Sequence, residues 1–290
     1  MERAEEHSKR ENRDSGASTA LDYLNPQYWD ERFSSEEHYE WFKDYSHFRH
    51  LIQQHVEPDS KVLELGCGNS QLSEDLYRDG ISNITCIDLS AVAVEKMQQR
   101  LLSKGYREIK VVEADMLDLP FTNELFDVVI EKGTMDVLFV DSGDPWNPNP
   151  ETAFKVMTML RQVHRVLKPN GTFISVTFGQ PHFRRRFFDE QEFTWSVEWG
   201  TFGDGFHYFV YVLKKVAPRQ RTHVNFTVKR LLLPQTYELI DACLFNSQGK
   251  RLLEGNGHSE KVETPSINLF HEELEGEDYL FRTNIDELNH

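Results

Sequence analysis

The chain has 290 residues, a formal net charge of −16 and a hydrophobic fraction of 39%. This length suits one α/β domain of about 200 residues with extensions, and the lack of any apolar run of about 18 residues argues against a transmembrane helix. The acidic charge argues against a protein that wraps nucleic acid by releasing counterions. It is compatible with a basic protein partner, or simply with solubility.

The N-terminal residues are charged and partly acidic, which is typical of neither a secretory signal nor an Arg-rich transit peptide. The three cysteines, Cys67, Cys86 and Cys243, lack the spacing of a metal site or a disulfide framework. We therefore predict no metal and a reducing compartment, the cytosol or the nucleus, and of these we expect the cytoplasm.

Composition divides the chain into four parts. Residues 1–20 are polar and are predicted to be disordered. Residues 21–216 carry the patterns of a folded domain, and residues 217–253 form an extension of uncertain structure. Residues 254–290 hold ten acids against two bases, which predicts a mostly disordered acidic tail.

An aromatic-rich stretch precedes the first predicted strand. Its rings belong to Tyr23, Tyr28, Trp29, Phe33, Tyr39, Trp41 and Phe42. Two compatible interpretations are open: the rings pack an N-terminal helix against the sheet, or they form a lid over a cationic ligand, which aromatic faces attract. Residues 42–55 then predict an amphipathic helix.

From there, strand-like and helix-like segments alternate. Strands are predicted at residues 62–65, 84–88, 109–114, 126–130 and 172–178, and helices at residues 71–79, 91–103 and 151–167. Two further strand-like runs, 193–199 and 206–213, are joined by a glycine-bounded turn with no helix between them. The alternation predicts an α/β fold: a Rossmann-like, seven-stranded, mostly parallel sheet with helices on both faces and a terminal antiparallel hairpin.

A glycine turn follows the first strand, where open α/β sheets bind ligands. Gly66 and Gly68 allow close backbone contact, but Gln71 occupies the position of the third glycine of a dinucleotide site. Glu64 would repel a pyrophosphate and suits a cation such as S-adenosylmethionine. Asp88, 20 residues after Gly68, has the spacing of an acid that binds ribose hydroxyls, which fits either cofactor. Together these residues favour a class I methyltransferase over a dehydrogenase.

Other cofactor contacts are predicted at the ends of the second and third strands. Leu89 gives Asp88 an apolar neighbour. Asp115 is placed to accept a hydrogen bond from the adenine amine, with Met116 against the ring. The alternative for Asp115 is an acid that caps a helix or stabilises a loop.

The methyl acceptor is expected after the fourth strand. Glu131 and Asp136 are candidates to orient and deprotonate a lysine amine, which must lie in line with the methyl group about 3 Å away. Alternatively, these acids pair with Lys132 or cap a turn. The run 184–186 of three arginines is interpreted either as a grip on an acidic partner or as a solvated helix face.

Several motifs carry a family likeness over roughly residues 23–215. They are Tyr28-Trp29-Asp30-x-Arg32-Phe33, Tyr39-Glu40-Trp41-Phe42, Leu65-Gly66-Cys67-Gly68-Asn69-Ser70 and Glu131-Lys132-Gly133-Thr134-x-Asp136. With them the chain resembles a eukaryotic group of class I lysine methyltransferases that act on elongation factor 1A or on citrate synthase. The resemblance implies S-adenosylmethionine as cofactor, bound by Trp29, Phe33, Trp41, Gly66, Asp88, Leu89, Asp115, Met116 and Lys132.

The resemblance also implies a substrate, elongation factor 1A, a basic protein that suits an acidic enzyme. The lack of a mitochondrial presequence disfavours citrate synthase. Two other functions stay open: a small-molecule methyltransferase of the same fold, and a non-catalytic scaffold. The presence of Glu64, Gly66, Asp88 and Asp115 weighs against the scaffold.

Overall fold

The structure, a computed structural model, describes residue 17 and residues 19–216. The N-terminal segment predicted to be disordered, residues 1–20, lies outside the described residues except for residues 17, 19 and 20, and there the prediction is wrong for Ala20, which is buried at the start of a 3-10 turn. The extension from residue 217 and the acidic tail also lie outside the described residues. The folded part is built on seven strands: β1 Val62–Leu65, β2 Ile84–Asp88, β3 Lys110–Glu113, β4 Phe126–Lys132, β5 Leu167–Thr177, β6 Trp195–Phe202 and β7 Tyr208–Lys215.

These strands form one sheet in the order β3-β2-β1-β4-β5-β7-β6. Strands β1 to β5 pair in parallel, whereas β7 pairs antiparallel with both β5 and β6. The predicted seven-stranded, mostly parallel sheet with a terminal hairpin is therefore confirmed. Because β7 runs antiparallel to β5, with Thr177 opposite Phe209, the carboxyl end of β5 and the β6–β7 turn lie at the same end of the sheet.

Helices cover both faces of the sheet. Their bounds are α1 Pro26–Ser35, α2 Tyr45–Ile52, α3 Leu72–Arg78, α4 Ala91–Lys104, α5 Thr134–Val137, α6 Pro150–Val166 and α7 Pro181–Phe188, with 3-10 turns at Ala20–Leu24 and Gln53–His55. Side chains alternate between the faces of a strand, so Val62 joins one apolar cluster with α2 to α4, and Leu63 joins a second with α6 and α7. None of the helices among residues 19–216 is both long and apolar enough to span a bilayer.

The helix predicted over residues 42–55 begins later than expected. Phe42 and Lys43 have φ of 57° and 73°, which lies in the left-handed region. The helix then starts after Asp44, whose side chain caps it by accepting from Ser46 N at 2.9 Å. Phe42 is still buried, so the predicted apolar face is present although its first residue is outside the helix.

Candidate active site

A cavity of about 330 Å³ opens at the carboxyl ends of β1, β2, β3 and β4, where parallel sheets place their ligands. It brings together every residue predicted to bind the cofactor. These are Trp29, Phe33, Trp41, Glu64, Gly66, Gly68, Asp88, Leu89, Asp115, Met116 and Lys132.

The glycine turn forms one wall of this cavity. Gly66 and Gly68 have φ of +64° and +48°, and a Cβ on Gly66 would clash with the side chain of Thr134. Asp88 holds the turn in place: its Oδ2 accepts from Gly68 N at 2.8 Å, and its Oδ1 accepts from Ser90 N at 2.9 Å. Burial raises the pKa of Asp88. The same carboxylate therefore joins the turn to the first residues of α4 beside the cavity.

Glu64 lies in the cavity wall with 3% of its surface exposed. Burial raises its pKa to about 7, although a thiol hydrogen bond from Cys86 Sγ at 3.4 Å favours the charged form. A carboxyl group with this pKa is half ionised near neutrality, and a cationic ligand beside it would shift it to the charged form.

Apart from Asp88, the walls formed by the β2 and β3 ends are mostly apolar and contain one further acid, Asp115. Leu89 is 56% exposed although it lines the cavity, so an apolar surface there is open to a ligand. Asp115 Oδ1 accepts from Leu117 N at 2.7 Å. Asp115 is thus an acid that stabilises its own loop and also a part of the wall, next to Met116.

Aromatic side chains form the roof of the cavity. Trp29 and Phe33 of α1 stack with ring centroids 5.6 Å apart, and Trp29 Nε1 donates to Tyr23 O at 2.8 Å. Trp41 packs edge-on against Tyr23 at 5.7 Å. These four rings line the cavity while they pack the N-terminal segment onto the domain. The packing interpretation is therefore confirmed, and the lid over a cationic ligand stays a prediction.

Glu40, which was not among the predicted site residues, ties this roof to the sheet. Lys132 Nζ donates to Glu40 Oε2 and to Trp41 O, both at 2.7 Å. Glu40 Oε1 accepts from Gln71 N at 2.5 Å and from Ser70 Oγ at 3.1 Å, just before α3. The alternative in which Lys132 pairs with Glu131 or Asp136 is therefore wrong. The motif at residues 39–42 indicates this segment by its rings, whereas nothing in the local sequence indicates that its acid pairs with a lysine 92 residues away.

Glu131, a predicted catalytic residue, is fully buried and is not part of the cavity wall. Its carboxylate accepts from Ser175 Oγ and from Met135 N, the latter at 3.0 Å. Burial, followed by the nearby charge of Asp136, raises its pKa to about 7. This carboxylate holds the first turn of α5, as the turn-capping alternative expected.

Asp136, the second predicted catalytic residue, is also buried behind the wall. Its Oδ1 accepts from Thr177 Oγ1 at 2.5 Å and pairs with the Arg184 guanidinium. Burial raises the pKa of Asp136, and Arg184 opposes this shift. Neither Asp136 nor Glu131 lines the cavity, so the structure places neither acid where it could touch an acceptor amine in the cavity. Both acids instead position α5, which does line the cavity.

Neither interpretation of the arginine run holds for Arg184. It is 3% exposed, pairs with Asp136, and lies 3.9 Å from the ring centroid of Phe139. Burial of this cation is possible because a buried carboxylate compensates its charge. By contrast, the next two arginines of α7 are partly exposed.

Comparisons with known proteins agree with this geometry. A family profile described as "Methyltransferase domain" matches residues 56–203. The sheet order, the glycine turn and this match define a class I methyltransferase that uses S-adenosylmethionine.

Relatives narrow the class further. The mouse (Mus musculus) protein named EEF1A lysine methyltransferase 4 is 39% identical over 196 residues, which cover 67% of this chain and 76% of the relative. The Bos taurus protein of the same name is 38% identical with the same coverage. The eEF1A lysine and N-terminal methyltransferase homolog of Drosophila melanogaster is 34% identical, over 57% of this chain and 24% of its own length. The chain belongs to the EEF1A lysine methyltransferase 4 family.

Proposed function

We propose that this chain transfers a methyl group from S-adenosylmethionine to the side-chain amine of a lysine in elongation factor 1A. The observation that carries the proposal is the cavity, which gathers acids, glycines and aromatic rings of the kinds that this cofactor needs. The substrate comes from the names of the mouse and cattle relatives, which state it for those proteins.

The cavity wall fits the parts of the cofactor. Asp88 would bind the ribose hydroxyls, and Leu89 offers its exposed apolar surface to the nucleoside. Asp115 and Met116 would meet the adenine. Glu64 and the aromatic roof would stabilise the cationic end, since carboxylates and ring faces both attract cations. When bound, the cofactor supplies a methyl group on positively charged sulfur.

The acceptor lysine must arrive as a neutral amine. Val137 and Leu138 give the cavity an apolar wall beside α5, and removal of water from an ammonium lowers its pKa. Glu131 and Asp136 would act at one remove by fixing α5, so that the amine meets the methyl group at the required distance of about 3 Å. We therefore propose that Glu131 and Asp136 are positioning residues.

We assign the activity to the domain of residues 21–216 and propose the cytoplasm as its location. We expect no direct contact with nucleic acid, because the net charge of −16 opposes approach to phosphates. The partner on which the proposal depends is therefore a protein, elongation factor 1A.

The test is a methylation assay with purified elongation factor 1A and cofactor labelled in the methyl group, followed by mass spectrometry of the acceptor. We expect label on lysine with the wild-type chain and none with Asp88→Ala. Label that appears only in small molecules would identify the alternative enzyme. A calorimetric titration with S-adenosylmethionine that gives no heat with the folded protein would identify a scaffold.

A further inference from the structure

The loop of residues 141–149, between α5 and α6, borders the mouth of the cavity. Leu138, three residues before the loop, lines the cavity, and so does Lys155 in the second turn of α6. Asn149 closes the loop, because its N donates to Ser142 O at 2.8 Å and its Nδ2 donates to Asp141 O at 2.6 Å. The loop is therefore a defined surface next to the acceptor side of the site.

Trp146 is presented on this loop with 59% of its surface exposed. Its indole stacks on the His182 ring at 4.8 Å with an angle of 17° between the planes, and Phe183 packs edge-on at 5.0 Å. Its backbone is fixed as well: Trp146 N donates to Asp144 Oδ1 at 2.9 Å, and Trp146 O accepts from Arg186 Nη1 at 2.6 Å. A large exposed ring that is already held in place loses little conformational entropy when a partner covers it.

The charge around Trp146 indicates the chemistry of such a partner. Asp141 and Asp144 are both exposed, and neither forms an ion pair with another described residue. Glu151, at the start of α6, forms an ion pair with Lys155, with 2.7 Å between Glu151 Oε1 and Lys155 Nζ. Arg186 brings one positive charge to Trp146 O, against two exposed carboxylates that form no ion pair with a described residue. An exposed indole face with a surplus of negative charge beside it attracts lysine and arginine side chains, through the ring quadrupole and through charge.

We propose that Trp146 is the docking anchor for the protein substrate. A basic polypeptide segment next to the target lysine packs on the open face of the indole, while the target lysine enters the cavity past Leu138. The inference rests on the proposed function, to which it adds a surface that selects a basic protein segment over a free amine. Trp146 is a specificity-determining residue in this role, since it lies outside the cavity wall.

The test compares Trp146→Ala with wild type in steady-state methylation of elongation factor 1A. Loss of a tryptophan that anchors an interface typically weakens binding by about 10- to 30-fold or more. We therefore expect Trp146→Ala to raise KM by about 10- to 30-fold, to keep kcat within twofold of wild type and to leave the cofactor Kd unchanged. Trp146→Phe, which keeps an aromatic ring, should have a KM close to that of wild type. The matched control is Leu102→Ala, which removes a 63% exposed apolar side chain from α4 and should leave KM unchanged.

A charge-reversal variant, Asp141→Lys, tests the electrostatic part without removing any aromatic packing. It should raise KM severalfold and weaken the dependence of KM on salt. If Trp146→Ala lowers the thermal unfolding midpoint, its KM no longer tests docking alone, and the KM of Asp141→Lys is the deciding measurement.

Each outcome separates the docking inference from the proposed function. If wild type methylates elongation factor 1A but both variants keep KM within twofold, docking at Trp146 is wrong and the proposed function stands. If wild type labels another protein, the same comparison is made with that protein, and only the named substrate fails. If wild type labels no protein, both proposals are overturned.

Discussion

Replacement of Arg184 by methionine tests the buried charge pair beneath the candidate acceptor site. The two partners are almost fully buried, with side-chain exposures of 4% for Arg184 and 0% for Asp136. Thr177 also donates to Asp136 Oδ1, but Asp136 Oδ2 is buried and accepts no hydrogen bond from a described residue. In Arg184→Met the carboxylate would therefore lose its compensating cation.

Removal of one partner from a buried ion pair costs about 3–5 kcal/mol of unfolding free energy. For a folded part of this size, each kcal/mol lowers Tm by about 2–4 °C, so the variant should melt about 6–20 °C below wild type in a calorimetric scan. The neighbouring Arg185 is a matched control because it pairs with Asp189 while both are about a third exposed. Arg185→Met should cost at most about 1 kcal/mol.

The effect should depend on pH in one direction. Burial raises the pKa of Asp136 and Arg184 opposes this, so loss of the cation raises the folded-state pKa further above the unfolded value. The destabilisation is then largest above that folded pKa, and it shrinks as pH falls through it and the carboxyl group binds a proton. A second change, Asp136→Asn, should recover much of the loss. The reasoning is refuted if Arg184→Met melts like Arg185→Met, or if Asp136→Asn recovers nothing.

Three other substitutions probe the cavity. With its pKa about 7, Glu64 is about 10% ionised at pH 6 and about 90% at pH 8, so wild-type affinity for S-adenosylmethionine should rise about tenfold over that range, and Glu64→Gln should flatten the calorimetric profile. Gly66→Ala, at φ +64° and against Thr134, should lower Tm and weaken cofactor binding; unchanged calorimetry would contradict the role of the turn. Glu40→Gln removes the charge that pairs with Lys132, whose side chain is 5% exposed, so Tm should fall and cleavage by protease near residue 40 should accelerate. Unchanged proteolysis would argue against the tie.

The regular elements were predictable where local signals bound them. Ser90 accepts from Ala93 N at the start of α4, and Gly105 ends the helix with φ of +81°, which is why the prediction for this helix was accurate to one residue. The early start of β5 was not predicted. Leu167 pairs with Phe126, and the register shifts between there and Val128; such an irregularity depends on the neighbouring strand rather than on local sequence.

The site was predictable to the extent that parallel topology determines it. Residues at or just after the carboxyl ends of β1, β2 and β3, such as Asp88 and Asp115, must share one end of the sheet. The sequence does not state whether a side chain after β4 points into the cavity or beneath it, and for Glu131 the prediction of acceptor contact depended on that choice. Likewise, the partner of Arg184, Asp136, is 48 residues away in the chain. Because the sequence shows only the two neighbouring arginines, it favours an exposed position for Arg184.

The aromatic roof has a consequence for where the protein can be cut. The segment matched by the family profile, residues 56–203, begins after Trp29 and Trp41 and ends before β7. A fragment with those ends would leave the ligand cleft uncovered on one side and would remove the strand that joins β6 to the rest of the sheet. The smallest piece that keeps the cleft enclosed and β6 joined to the sheet is therefore longer than the segment that the family profile matches, because it must begin before Tyr23 and extend through β7.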